Sequence, residues 1–86
     1  MSEDQAGQLL SSVPGYEWLL RDGRAFWSPV DLEPFLGVSA NTIRRWADAG
    51  LIPGALDFGS AGYRIPRGGI MIYLASRIAG SQQRQA

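Results

Sequence analysis

Hydrophobic residues recur at helical spacing between Ser28 and Gly37. Three of them lie three and four positions apart and would share one face of a helix: Leu32, Phe35 and Leu36. Ser28 can accept a hydrogen bond from a free backbone amide at the helix start, and Pro29 suits the first helical position. Gly37 can end the helix in the left-handed conformation. Because Pro34 removes a backbone hydrogen bond, we expect this first helix to be short or kinked.

A second helical pattern follows directly, with Ser39 as its N-cap and Gly50 as its stop. Its apolar positions are again three and four apart and are expected to face inward: Ile43, Trp46 and Ala47. The opposite face is polar: Asn41, Thr42, Arg44, Arg45 and Asp48. Two helices joined by about three residues including a glycine form a helix-turn-helix, whose second helix presents its N-terminal residues to base edges in the DNA major groove.

Alternation of apolar and polar residues then predicts a short β-hairpin. Its strands would cover residues 56–58 and 63–65, and the loop 59–62 between them contains only small residues. A loop this slim would let its backbone and Ser60 approach a narrow groove or a phosphate. The predicted fold class is therefore mainly α with a small β-hairpin wing.

The last predicted helix covers residues 66–79 and begins at Pro66. Its apolar residues occupy more than one face: Ile70, Met71, Ile72, Tyr73, Leu74, Ala75 and Ile78. This helix therefore needs cover on more than one side. Either the segment that contains Trp18 and Trp27 or a neighbouring subunit would provide it.

The segment between Tyr16 and Trp27 allows two interpretations. Two short apolar runs flank Arg21-Asp22-Gly23-Arg24, and an Asp-Gly pair in such a position favours a hairpin turn. The alternative is one helical turn capped by Gly23.

The two ends of the chain are polar or rich in small residues and show no sustained period. We expect residues 1–14 and 80–86 to be flexible tails, which leaves a single domain over residues 15–79. With 86 residues, of which 45% are hydrophobic, the chain can form one small core.

The charges are segregated along the chain although the formal net charge is zero. Residues 1–39 contain two basic and six acidic residues, whereas residues 40–86 contain six basic and two acidic residues. Every basic residue is arginine, whose planar guanidinium suits bidentate contacts to phosphate and guanine. A genome rich in G and C would also favour arginine over lysine, so the composition alone does not decide for a nucleic-acid partner.

The sequence contains no cysteine and no histidine, so disulfides are excluded and the commonest soft metal ligands are missing. The acidic residues are scattered, and the serines at 11, 12 and 39 have no candidate base. We therefore expect no enzymatic activity and no cofactor. The start Met-Ser-Glu-Asp lacks the basic character of a secretion signal, and no apolar run approaches the roughly 20 residues of a membrane span. A cytoplasmic protein is expected.

Five segments between residues 26 and 79 carry a recognisable pattern. They are Trp27-Ser28-Pro29-Val30-Asp31-Leu32, Phe35-Leu36-Gly37-Val38-Ser39, Thr42-Ile43-Arg44-Arg45-Trp46, Gly50-Leu51-Ile52-Pro53 and Tyr63-Arg64-Ile65-Pro66-Arg67. Together they resemble the MerR-like winged helix-turn-helix of phage and integrative-element excisionases, also called recombination directionality factors. MerR-type transcription regulators and small phage regulators share this fold, so the pattern is more specific for the fold than for the biological role.

The resemblance implies roles for individual residues. The helix after the Gly-Val-Ser turn would lie in the major groove, which assigns DNA contact to Ser39, Asn41, Thr42, Arg44 and Arg45. The wing hairpin would lie beside the phosphate backbone or the minor groove, which assigns DNA contact to Ser60, Tyr63, Arg64 and Arg67. Glu33 and Pro34 depart from the family pattern and affect the first helix. Gly68 and Gly69 also depart from it, and each weakens the start of the last helix by about 1 kcal/mol relative to alanine.

Several of these residues have a structural alternative. Two ion pairs would compete with DNA contact: Arg45 with Asp48 along the helix, and Arg64 with Asp57 across the hairpin. Arg44 could belong to an ordinary solvated face, Asn41 could favour the first helical turn, and Thr42 could be part of the cap.

The leading functional hypothesis is an accessory factor that binds repeated DNA sites cooperatively, shapes the DNA and helps an integrase excise a mobile element. MerR-type regulators carry a long dimerisation helix and an effector site after this domain, whereas about seven residues follow the last predicted helix here. The expected partners are double-stranded DNA, a site-specific recombinase and further copies of the chain. The expected location is the cytoplasm of a bacterium, on the nucleoid when DNA is bound.

Two other hypotheses remain open. A small phage- or plasmid-type transcription regulator would use the same helix-turn-helix on a promoter. A protein-interaction adaptor would have kept the winged fold and lost DNA binding, which the zero net charge and the apolar last helix favour.

Overall fold

The structure, a computed structural model, describes residues 1–85. Its α-helices are α1 (Glu3–Ser11), α2 (Glu17–Arg21), α3 (Pro29–Leu36), α4 (Ala40–Asp48) and α5 (Arg67–Gln85). Its strands are β1 (Phe26–Trp27), β2 (Leu56–Asp57) and β3 (Tyr63–Pro66), and a 3-10 turn (Gly59–Ala61) connects β2 to β3.

Helices α3 and α4 form the predicted helix-turn-helix. A reciprocal pair of hydrogen bonds caps α3: the Ser28 hydroxyl accepts from the Asp31 amide at 3.1 Å, and the Asp31 carboxylate accepts from the Ser28 amide at 3.4 Å. Gly37 ends α3 in the left-handed conformation at φ 70°, as its position in the sequence predicts. Helix α3 is short, at eight residues, and continues through Pro34.

The predicted hairpin is also present, and we call residues 56–66 the wing. Strands β2 and β3 pair antiparallel, with Leu56 opposite Arg64 and Asp57 opposite Tyr63. The Phe58 amide donates to the Gly62 carbonyl at 2.9 Å and closes the turn. Strand β3 is the middle strand of a three-stranded sheet, because β1 pairs with its other edge.

The hairpin favoured between Tyr16 and Trp27 is wrong. Helix α2 occupies the first part of this segment and ends at Asp22 in an extended conformation, not at Gly23 as the alternative proposed. The second part forms β1, where Trp27 lies opposite Ile65 of β3 and both side chains are buried. The partner of β1 is thus far along the sequence, and no local turn signal indicates such a pairing.

The expected flexible tail over residues 1–14 is also corrected, because α1 lies within it. Ser2 and Gln5 cap this helix reciprocally through hydrogen bonds of 3.1 and 2.8 Å. Ala6 and Leu10 are fully buried, and α1 packs along α5. The excess of apolar residues on α5 explains this packing, since α1 covers one of its faces.

Helix α5 begins one residue later than predicted and ends later. Pro66 is the last residue of β3, and the helix continues to Gln85. The expected C-terminal tail over residues 80–86 is therefore helical from 80 to 85, and residue 86 lies outside the described residues. Gly80 does not stop the helix, because the Ser, Gln and Arg residues after it are compatible with helical backbone.

The core combines side chains from every helix and from the sheet. Its largest fully buried members are Leu10, Leu19, Trp27, Leu32, Ile43, Ile65 and Ile70. Trp46 faces inward, as predicted, and its ring packs against that of Tyr73, with 4.9 Å between the ring centres. The arrangement of helices around a three-stranded antiparallel sheet is that of a winged helix-turn-helix domain. Within residues 1–85, no helix combines the length and the apolar character that crossing a lipid bilayer requires.

Candidate nucleic-acid interface

Side chains from two elements hold the start of α4. The Ser39 hydroxyl accepts from the Thr42 amide at 3.2 Å, and the two hydroxyl oxygens lie 3.1 Å apart. The Glu33 carboxylate, which projects from α3, accepts from the Ala40 amide at 2.9 Å. Both acceptors satisfy amides that lack a partner within the helix. Glu33 therefore joins the two helices of the motif.

The polar face of α4 presents two arginines and an amide. Asn41 and Arg45 are exposed and Arg44 is half-buried. The Arg44 guanidinium donates to the Asn41 side-chain oxygen at 2.7 Å, so these two side chains form one preordered donor and acceptor group. The expected alternative for Arg45, an ion pair with Asp48, does not occur among the described residues.

The wing is attached to the C-terminal end of α4 through Tyr63. Its hydroxyl lies 2.9 and 3.1 Å from the two carboxylate oxygens of Asp48 and donates to that group. The pKa of Tyr63 is raised, first by this hydrogen bond, then by desolvation and by the negative charges of Asp48 and Asp57, while Arg44 opposes the shift. Since the hydroxyl donates to Asp48 of α4, Tyr63 positions the wing relative to α4.

Arg64 and Ser60 are exposed on the wing. The Arg64 guanidinium donates to the Ala61 and Tyr63 carbonyls at 3.2 and 3.3 Å, which holds it near the tip of the hairpin. The alternative ion pair with Asp57 is absent from the described residues, because Asp57 lies opposite Tyr63 and its carboxylate accepts from the Gly59 amide at 2.8 Å.

Arg67 does not belong with the other wing residues. Its guanidinium donates to the carbonyls of Leu19, Leu20 and Asp22 at 3.0 to 3.1 Å, so it satisfies free carbonyls at the C-terminal end of α2. A further nitrogen lies 3.8 Å from the Glu3 carboxylate of α1. Its side chain therefore connects α5 to the N-terminal helices, and the implied role of Arg67 in the wing is corrected.

Three arginines of α4 and the wing, Arg44, Arg45 and Arg64, can bind an anion. The ion pairs among the described side chains involve other residues: Arg24 with Asp22, Arg24 with Asp31, and Arg67 with Glu3. Arg44, Arg45 and Arg64 thus keep uncompensated positive charge, which suits contact with phosphate.

Two positioning residues are missing from the sequence-based set. Glu33 appears in the sequence only as a departure from a pattern, and Asp48 appears only as one more polar residue of α4. Their partners, Ala40 and Tyr63, lie in other elements, so the contacts depend on tertiary structure.

A family model described as "Helix-turn-helix domain" matches residues 32–78, more than half of the chain. The matched part contains α4, the wing and most of α5. No curated protein and no solved structure matches the chain. A helix-turn-helix domain implies sequence-specific binding with DNA as the partner.

Proposed function

Because the chain belongs to the helix-turn-helix domain family, we propose that α4 enters the major groove of double-stranded DNA while the wing lies against the adjoining strand. The observation that carries this proposal is the hydrogen bond between Tyr63 and Asp48, which fixes the wing beside α4. Arg45 and Arg64, one on each element, are both exposed. Two elements that are already joined in the free protein need less reorganisation to contact DNA together, which lowers the entropic cost of binding.

The proposed contacts divide between bases and backbone. Asn41, Arg44 and Arg45 face the base edges, where a bidentate arginine contact to guanine discriminates by roughly 1 to 3 kcal/mol. The hydroxyls of Ser39 and Thr42 lie at the start of α4, where helix amides and hydroxyls commonly contact phosphate. Arg64 and Ser60 contact the backbone from the wing.

For the biological role we propose an excisionase-like accessory factor, on the basis of the sequence resemblance. A single module of this size covers roughly 600 to 1,000 Å² of protein surface, which is small for a specific DNA complex. Several copies on adjacent sites would raise the affinity through linked binding and would shape the DNA for an integrase. We infer that the protein itself supplies no catalysis and needs no cofactor.

The first experiment identifies the DNA site and tests the interface. Duplexes selected from a random-sequence pool are titrated by fluorescence anisotropy with the wild type, Arg44→Ala, Arg45→Ala and the matched control Arg21→Ala, an exposed arginine of α2. We expect steep salt dependence for the wild type, a loss of about tenfold or more in each α4 variant, and no change for Arg21→Ala. A folded wild type without salt-dependent binding would instead favour the adaptor hypothesis.

A second experiment tests the biological role. Binding to one selected site is compared with binding to two adjacent sites, and excision is assayed with an integrase encoded beside the gene. Cooperative binding and stimulated excision support the accessory factor. Equal affinity per copy on both duplexes excludes cooperativity, and DNA binding without any effect on excision favours the transcription regulator.

A further inference from the structure

The outer face of the wing combines two exposed apolar side chains with an arginine. Leu56 and Phe58 are 55% and 54% exposed, and Leu56 lies opposite Arg64 in the sheet. The Arg64 guanidinium lies 6.0 Å from the centre of the Phe58 ring. Single exposed apolar residues are common on protein surfaces. Here, however, the aromatic ring lies beside a guanidinium that the Ala61 and Tyr63 carbonyls hold in place, so apolar area and positive charge are combined at one position.

The tip that carries this group is narrow. Gly59 begins the 3-10 turn and Gly62 follows it, at φ 66° and 87°, and no atom lies within 4 Å of the position that a Cβ atom would occupy at either residue. The Asp57 carboxylate, the one acidic group of the wing, belongs to the residue opposite Tyr63 and is engaged by the Gly59 amide. The outer face with Phe58 and Arg64 is thus slim and carries positive charge.

The wing is attached at the C-terminal end of the recognition helix. Tyr63 attaches it at Asp48, the last residue of α4, and a helix of nine residues is about 13 Å long. Along B-DNA, neighbouring major and minor grooves are about 17 Å apart, half of the roughly 34 Å helical repeat. The tip of a hairpin attached there must span roughly this distance to enter the adjacent minor groove.

We propose that Phe58 is a wedge that enters this minor groove, inserts its ring between two stacked base pairs and bends the DNA, while Arg64 contacts the backbone at the edge of the groove. This inference rests on the proposed binding of DNA by α4. Apolar wedges that unstack a base step bend duplexes by roughly 20 to 90°. Flexible pyrimidine–purine steps at the contacted position will be preferred, since they unstack most easily.

The test uses selected duplexes labelled at both ends for energy transfer, together with 2-aminopurine at the contacted step. Phe58→Ala is compared with Phe26→Ala, a matched control in which an equally exposed phenylalanine outside the wing is truncated. We expect the wild type and Phe26→Ala to bend the duplex and raise 2-aminopurine fluorescence. Phe58→Ala will lose most of both signals, with affinity within about tenfold of the wild type because the unstacking penalty disappears together with the wedge contacts.

The other outcomes separate this inference from the proposed function. Failure of the folded wild type to bind any duplex contradicts DNA binding itself. Binding by the wild type without bending, or equal bending by Phe58→Ala, overturns the wedge alone. A Phe58→Ala protein that bends a single site normally but no longer binds adjacent sites cooperatively would identify the outer face as a contact between copies, and this result also overturns the wedge.

Discussion

Glu33 shows how one side chain fixes the geometry of a two-helix motif. Its carboxylate projects from α3 and accepts the Ala40 amide of α4 in a partly buried position. The acceptor satisfies a free amide, and its negative charge lies at the positive end of the α4 dipole. The angle between the two helices therefore depends on a contact that the turn alone does not provide.

Removal of this contact will destabilise the protein. We expect Glu33→Ala to lower the free energy of unfolding by about 1 kcal/mol, as for loss of a helix cap. Glu33→Gln keeps an oxygen acceptor and removes only the charge, so its effect will be smaller. Urea unfolding followed by circular dichroism measures both, and equal stability of Glu33→Ala and the wild type would contradict the inferred role.

Tyr63 makes the attachment of the wing depend on pH. Its folded-state pKa is raised above the ordinary value of 10.0, chiefly by the hydrogen bond to Asp48, so the stabilisation is complete below pH 10 and is lost as pH rises through the folded pKa. We expect the protection factors of the wing amides, which are corrected for the intrinsic base-catalysed exchange rate, to fall at alkaline pH. In Tyr63→Phe, which cannot donate or ionise, these protection factors will be low at every pH.

The matched control for Tyr63 is Asp48→Asn, which removes the negative charge. The tyrosine absorbance titration of this variant should move back toward the ordinary pKa. An unchanged titration would show that the hydrogen bond to Asp48 does not control the ionisation of Tyr63.

At the scale of elements, the backbone at Pro53 approaches the start of α5 so closely that it restricts which residue can stand at Gly69. A Cβ atom at Gly69 would collide with the Pro53 carbonyl oxygen, so no side chain fits at this position. Glycine has a low helix propensity, but its lack of a side chain permits the turn before the wing to pack directly on α5.

Alanine at two glycines of α5 tests this point in opposite directions. We expect Gly69→Ala to lower the stability by about 1 to 3 kcal/mol through overpacking. Gly80 lies in the same helix, and no atom lies within 4 Å of the position that its Cβ atom would occupy. We therefore expect Gly80→Ala to raise the free energy of unfolding by up to about 1 kcal/mol. Thermal unfolding of both variants measures the difference, and a stable Gly69→Ala protein would contradict the close packing.

The sequence predicts elements whose signals are local and fails where partners are distant. Ser28, Gly37 and Ser39 cap α3 and α4 with neighbouring residues, so both helices are readable from the sequence. Helix α1 and strand β1 depend on burial against α5 and pairing with β3, which only the folded chain brings together. Arg67 is assigned to the wing from the sequence because its partner is also distant: in the structure its guanidinium donates to the Leu19 carbonyl of α2.

At the scale of the whole molecule, the folded unit is larger than the part that the family model matches. The family model matches residues 32–78. Leu10, Leu19 and Trp27 precede this range and are among the largest fully buried side chains. In a domain of this size, total stability is of the order of 5 to 10 kcal/mol, so each such side chain contributes a large fraction of it. The N-terminal helices are thus part of the core that supports the proposed DNA-binding face.

Truncation of Leu10 separates this core role from the DNA-binding surface. We expect Leu10→Ala to lower the free energy of unfolding by about 2 to 5 kcal/mol, because it leaves a cavity in the hydrophobic core. Leu51→Ala, at a position 49% exposed, will change it by less than about 0.5 kcal/mol. At a temperature where Leu10→Ala remains folded, its affinity for the selected duplex will equal that of the wild type, since Leu10 is fully buried and lies outside α4 and the wing. Equal stability of the two leucine variants would instead show that α1 is dispensable for the domain.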